Sequence, residues 1–96
     1  MFDPMRFVKH PAIVQIRGNL EREEEMIKVI ERHGEEFEVE RVREGLNIYF
    51  SDVNVARRVV SKLNRIFNAN VKMSTKYAGL RGGKVRVLFV YRLKID

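Results

Sequence analysis

The chain has 96 residues, 45% of them hydrophobic and 33% charged, with a net charge of +6. So short a chain sustains one core, and we expect residues 1–11 as an irregular lead-in to a single αβ domain over 12–96. Zero cysteines exclude a disulfide framework, a thiol nucleophile and a cysteine-based zinc site. There is no run of 18 apolar residues, and the first residues lack the charged-then-apolar order of a signal peptide, which points to a cytoplasmic chain with no membrane partner.

Residues Ala12 to Arg17 read as a strand from their β-branched content, with Ala12, Val14 and Ile16 on one face. Gly18 ends it, and Asn19 is placed to cap a helix from Leu20 to His33. The apolar stripe of that helix is Leu20, Met26, Ile27, Val29 and Ile30. Glutamates 21, 23 and 24 suit the positive end of its dipole, and Gly34 marks its stop. Phe37 to Arg43 and Leu46 to Phe50 form a hairpin around Glu44-Gly45, with Leu46, Ile48 and Phe50 facing the core and Asn47, Tyr49 and Ser51 the other way.

Ser51 or Asp52 then caps a second helix to about Asn68, whose Ala56, Val59, Val60, Leu63, Ile66 and Phe67 follow helical spacing. Two alternating strands follow, Asn70 to Tyr77 and Lys84 to Ile95, joined by a loop from Ala78 to Gly83. The order βαββαββ predicts an α+β fold, with two helices on one face of a mainly antiparallel sheet. This is a ferredoxin-like split βαβ plan with an extra C-terminal strand.

Charge is divided unevenly along this plan. Residues 1–50 hold eight Lys/Arg against eleven Asp/Glu, whereas residues 51–96 hold eleven against two, and no acidic residue occurs between Val53 and Ile95. An uninterrupted basic run of this length suits a phosphate-bearing partner. It falls into two groups. Arg58, Lys62 and Arg65 form one helical stripe at i, i+4 and i+7, with Arg57 on its flank. Lys72, Lys76, Arg86, Arg92 and Lys94 share the sheet face turned from the helices, and Arg81 and Lys84 project from the adjoining turn. We take Lys72, Lys76, Arg81, Lys84, Arg86, Arg58, Lys62 and Arg65 as the nucleic-acid-binding residues. Tyr49 on the same face would offer an aromatic surface to a base. Leu88 and Val90 interrupt the basic face with apolar area that suits an interface.

Catalysis finds little support. The two histidines, His10 and His33, lie in the lead-in and at a helix end, away from any serine or paired carboxylate. Glu21, Glu23, Glu24 and Glu25 point around a helix axis and do not converge on a metal. Gly79, Gly82 and Gly83 lack the Lys-Ser/Thr of a phosphate-cradling loop and read as a hairpin turn. No cofactor, metal or catalytic residue is expected.

Taken in order, Ala12-Ile13-Val14-Gln15-Ile16-Arg17, the helix ending in His33-Gly34, Glu44-Gly45-Leu46-Asn47-Ile48-Tyr49-Phe50-Ser51, the helix with Ala56, and Ser74-Thr75-Lys76-Tyr77 carry a family resemblance. They resemble the adaptor that carries the large ribosomal subunit out of the nucleus, a family named for nonsense-mediated decay, and are most similar to its archaeal-type members. The resemblance runs from about residue 12 to 95 and corresponds to that adaptor's middle αβ module, itself similar to a large-subunit ribosomal protein. It implies a non-enzymatic factor that docks on large-subunit ribosomal RNA or ribosomal proteins during late assembly. Family members also carry a zinc module of Cys-x-x-Cys pairs and a translation-factor-like barrel. This cysteine-free chain therefore reads as a module separated from its metal-binding neighbour, whether stand-alone, one half of a split gene or an excised domain. A second reading is a protein-interaction module or homodimer centred on Leu88 and Val90. A third is a small ferredoxin-like acyl-phosphate hydrolase, which would need an anion-binding loop after the first strand; Arg17-Gly18-Asn19 is a faint echo of one.

Overall fold

The alternation read along residues 12–17 becomes the central strand of a five-stranded sheet. A computed structural model describes the backbone of residues 11–81 and 84–96 and the side chains of 11–76 and 87–96. The elements are β1 (Ala12–Gly18), α1 (Glu23–His33), β2 (Phe37–Val42), β3 (Gly45–Phe50), α2 (Val53–Phe67), β4 (Asn70–Arg81) and β5 (Lys84–Ile95). The sheet order is β2-β3-β1-β5-β4. Strands β1 and β3, β2 and β3, and β4 and β5 pair antiparallel, whereas β1 and β5 run parallel. The expected α+β fold, order βαββαββ, is the one observed. The extra C-terminal strand does not lie at an edge: β5 inserts between β1 and β4, leaving β2 and β4 as the edges.

Alternation sorts the strand residues into two faces. Val14, Ile16, Leu46, Ile48, Phe50 and Leu93 are wholly buried, packed against Met26 and Ile30 of α1 and Val59 and Leu63 of α2. Ile13, Tyr49, Leu88 and Val90 form a second, smaller buried cluster on the opposite face. The helical stripe read for α2 holds except at Ile66, which is 46% exposed. At 3.6 residues per turn Phe67 returns towards the line of Val60 and Leu63, whereas Ile66 turns off its edge.

Asp52 is the cap of α2: its carboxylate accepts from the Asn54 N–H at 2.7 Å. Asp52→Ala is expected to lower stability by about 1 kcal/mol, measured by chemical denaturation, with no change in the denaturant slope.

Helix α1 begins later than expected. Asn19 donates its N–H to Ile95 O at 2.7 Å and its side chain accepts from Glu21 N at 2.9 Å, which spends the asparagine on a turn tied to the end of β5. Residues Leu20–Arg22 complete that turn, and regular helix starts at Glu23. Gly18, at φ 96°, allows the approach: a Cβ there would lie 2.1 Å from Ile95 O.

The segment expected to loop from Ala78 is strand as far as Arg81. The ladder shifts register between Tyr77 and Gly79, so that Gly79 faces Arg86 and Arg81 faces Lys84. Pairing of β1 with β5 starts only at Phe89, whose N–H meets Pro11 O at 2.9 Å. The outer parts of β4 and β5 therefore run past the body of the sheet as a two-stranded arm, in keeping with the 43 Å long axis of the molecule. Met73 and Val87, at 57% and 42% exposure, mark where the helix layer no longer covers this hairpin.

Candidate functional site

All seven basic residues of β4 and β5 lie on one hairpin that contains no acidic residue. Cross-strand register brings its described cations together with one from β1. Gln15 faces Arg92, which faces Lys72, and Arg17 faces Lys94, which faces Asn70. These two adjacent rows lie on the sheet face away from the helices. Arg17, Asn70, Lys72, Arg92 and Lys94 line a shallow cavity of about 330 Å³ there. Among the described residues neither Lys72, Arg92 nor Lys94 is ion-paired; the pairs present are Arg22–Glu25 and Arg41–Glu23, on the other half of the chain.

Arg17 is held in place. Its guanidinium donates to Ile16 O and Leu46 O, each at 3.1 Å, and to Asn47 Oδ1 at 2.8 Å. Asn47 in turn donates to Glu40 at 3.3 Å, and the Tyr49 hydroxyl donates to the same carboxylate oxygen at 2.8 Å. Desolvation lowers the Arg17 pKa, neighbouring Arg92 acts in the same direction, and Glu44 and Tyr49 oppose them. At neutral pH the group remains a cation. The open face is thus graded, with glutamates on β2, neutral Asn47 and Tyr49 on β3, and cations on β1, β5 and β4.

The structure separates the residues that the sequence points to. Arg58, Lys62 and Arg65 lie on the solvent side of α2, across the sheet from the hairpin's open face, with Arg58 and Arg65 exposed. Their flanking residue Arg57 is tied down: it donates to the Tyr91 hydroxyl at 2.9 Å, and its guanidinium sits 5.7 Å from the centroid of the Phe89 ring. Lys72 and Lys76 are exposed on β4. Arg81, Lys84 and Arg86 fall on the arm, and their side chains, like residues 1–10 with His10, lie outside the described residues.

Two expectations are corrected. Leu88 and Val90, expected as the exposed centre of an interface, are only 3% and 5% exposed and form one buried cluster with Ile13 and Tyr49. Tyr49 is likewise 7% exposed, with its hydroxyl committed to Glu40, so it offers no ring for a base to stack on. Arg17, Asn70, Arg92 and Lys94 are not among the binding residues expected from sequence. Alternation alone places Arg92 and Lys94 on this face, but Arg17 joins them only through the β1–β5 pairing.

Fold order and the basic hairpin can be set beside known families. A model of the second domain of NMD3 matches residues 9–95. The chain belongs to the NMD3 family. The match spans every element from β1 to β5, so the order and spacing that suggest the family from the residues are those of an NMD3 second domain. The NMD3 family is associated with the large ribosomal subunit. No curated protein matches the chain. Among the described residues, no helix is long and apolar enough to cross a membrane.

Proposed function

We propose that this NMD3-family domain is a non-enzymatic RNA-binding module that acts on the large ribosomal subunit, with the β4–β5 hairpin as its principal contact and the α2 stripe as a lesser one. The observation that carries this reading is the folding of a basic, acid-free stretch into one hairpin with a projecting arm. Lys72, Lys76, Arg81, Lys84 and Arg86 would meet phosphate there. Such a surface neutralises backbone charge without reading sequence, which suits a factor recognising folded ribosomal RNA by shape.

The residues about β1 also support a binding role over a catalytic one. Arg17 is bound to strand β3 and Asn19 to the turn before α1, so the two do not converge on an anion as an acyl-phosphate hydrolase would need. The dimer reading loses its anchor with the burial of Leu88 and Val90.

Binding to large-subunit RNA should be steeply salt-dependent. If six to eight phosphates are neutralised, log affinity falls against log salt with a slope of roughly −4 to −7. Co-sedimentation with isolated large and small ribosomal subunits across a salt series measures it, with the protein expected in the large-subunit fraction. A slope near zero, or equal partition between subunits, would overturn the reading.

A further inference from the structure

Resting on RNA binding by the hairpin, we infer that the cavity lined by Arg17, Asn70, Lys72, Arg92 and Lys94 is a separate seat for consecutive backbone phosphates of one RNA strand, at the end of β5 opposite the arm. Three neighbouring strands supply its cations. Strands lie about 4.8 Å apart and same-face residues about 6.7 Å apart along a strand, so four positive groups share a patch roughly 10 by 7 Å. That spacing is comparable to the spacing of successive phosphates along a nucleic-acid strand.

Three features make this a built site. Arg17 is fixed by its three acceptors before any ligand arrives, which reduces the ordering cost of binding. Lys72, Arg92 and Lys94 are exposed and not ion-paired among the described residues, so a ligand displaces no internal partner. Desolvation is the largest influence on Arg17 and weighs against its charge, with Arg92 in the same direction and Glu44 and Tyr49 opposing, and an anion entering the cavity adds to that opposition.

The lining also discriminates between partners. It holds no apolar or aromatic side chain and no carboxylate, and Asn70 adds a neutral amide. Protein interfaces keep an apolar centre and are poor in lysine, whereas nucleic-acid interfaces are polar and strongly positive. With no ring to stack a base, the seat recognises phosphate and leaves sequence unread.

Fluorescence anisotropy of the 96-residue chain with a labelled RNA duplex tests this, using Arg92→Glu/Lys94→Glu, with Lys76→Glu/Arg81→Glu/Lys84→Glu as the arm control. The cavity pair is expected to weaken binding by roughly 30-fold at 0.1 M salt and to reduce the salt slope by about 2. Arg92→Gln/Lys94→Gln, which adds no negative charge, should lose affinity in the same direction and serves if the glutamate pair does not fold. Wild-type affinity in the cavity variants, with loss in the arm variant, would overturn the seat and leave RNA binding intact. No binding of RNA by the unmodified chain would overturn both, and capture of poly-glutamate in its place would assign the cations to an acidic protein.

Discussion

Reversal of Lys76, Arg81 and Lys84 to glutamate is expected to weaken RNA binding by close to about 10³-fold at 0.1 M salt, because each phosphate left without its cation costs close to a decade of affinity there. The matching reversal of Arg58, Lys62 and Arg65 should cost less than about tenfold. Each triple changes the formal charge by the same amount, taking the chain from +6 to zero. Long-range attraction therefore falls equally in both, and the difference between them reports where the RNA sits. Lys76 lies on the sheet face opposite α2, and Arg81 and Lys84 fall on the arm beyond the body of the sheet, so a stiff duplex on the hairpin is held away from the α2 stripe. Equal losses would show that the hairpin is not the principal contact. Filter binding at three salt concentrations measures both affinity and slope.

Gly45→Ala is expected to destabilise the fold by at least about 3 kcal/mol, through added strain and overpacking in the middle of the sheet. Gly45 opens β3, is buried, and pairs with Arg17 on one side and Val42 on the other. Its φ is 153°, and a Cβ built there lies 2.0 Å from Ile16 O, a backbone atom of the central strand. Ile16 itself is wholly buried, so β1 has no free direction in which to yield. For a domain of this size the loss corresponds to a fall in Tm of roughly 12–24 °C. Thermal unfolding followed by circular dichroism measures it, and a fall of under about 4 °C would show that the sheet accommodates the methyl group. Arg17 pairs with this glycine across the strands, and its guanidinium is bonded to the next two residues of β3, at Leu46 O and Asn47 Oδ1.

Much of the architecture is legible in the sequence because local periodicity and burial agree. Leu46, Ile48 and Phe50 read as core-facing and are wholly buried, and Val59, Val60 and Leu63 follow the helical period into the core. Asp52 is a capping candidate by residue type and caps α2. Asn19 is an equally good candidate, yet it makes a turn, because its N–H is drawn to Ile95, a residue 76 positions further on. Gly45 reads as a turn glycine; its need arises from the neighbouring strand. Alternation places Leu88, Val90 and Tyr49 on the open face, but which strands lie side by side there is set by long-range pairing, and in the sheet Leu88 and Val90 are buried in one cluster with Ile13 and Tyr49.

By itself the sequence determined the strand and helix order, the side of each element that faces the core, and the accumulation of positive charge in the second half. Those properties depend on residues within one or two turns of each other, and on composition. Only the tertiary structure decided that β5 enters the sheet between β1 and β4, and with it which cations become neighbours. Arg17 is 75 residues from Arg92 along the chain, and the parallel pairing of β1 with β5 sets them in adjacent rows. The net charge of +6 is a sum over the whole molecule. A binding surface depends on where strand register places each charge, and that follows from long-range hydrogen bonding between strands.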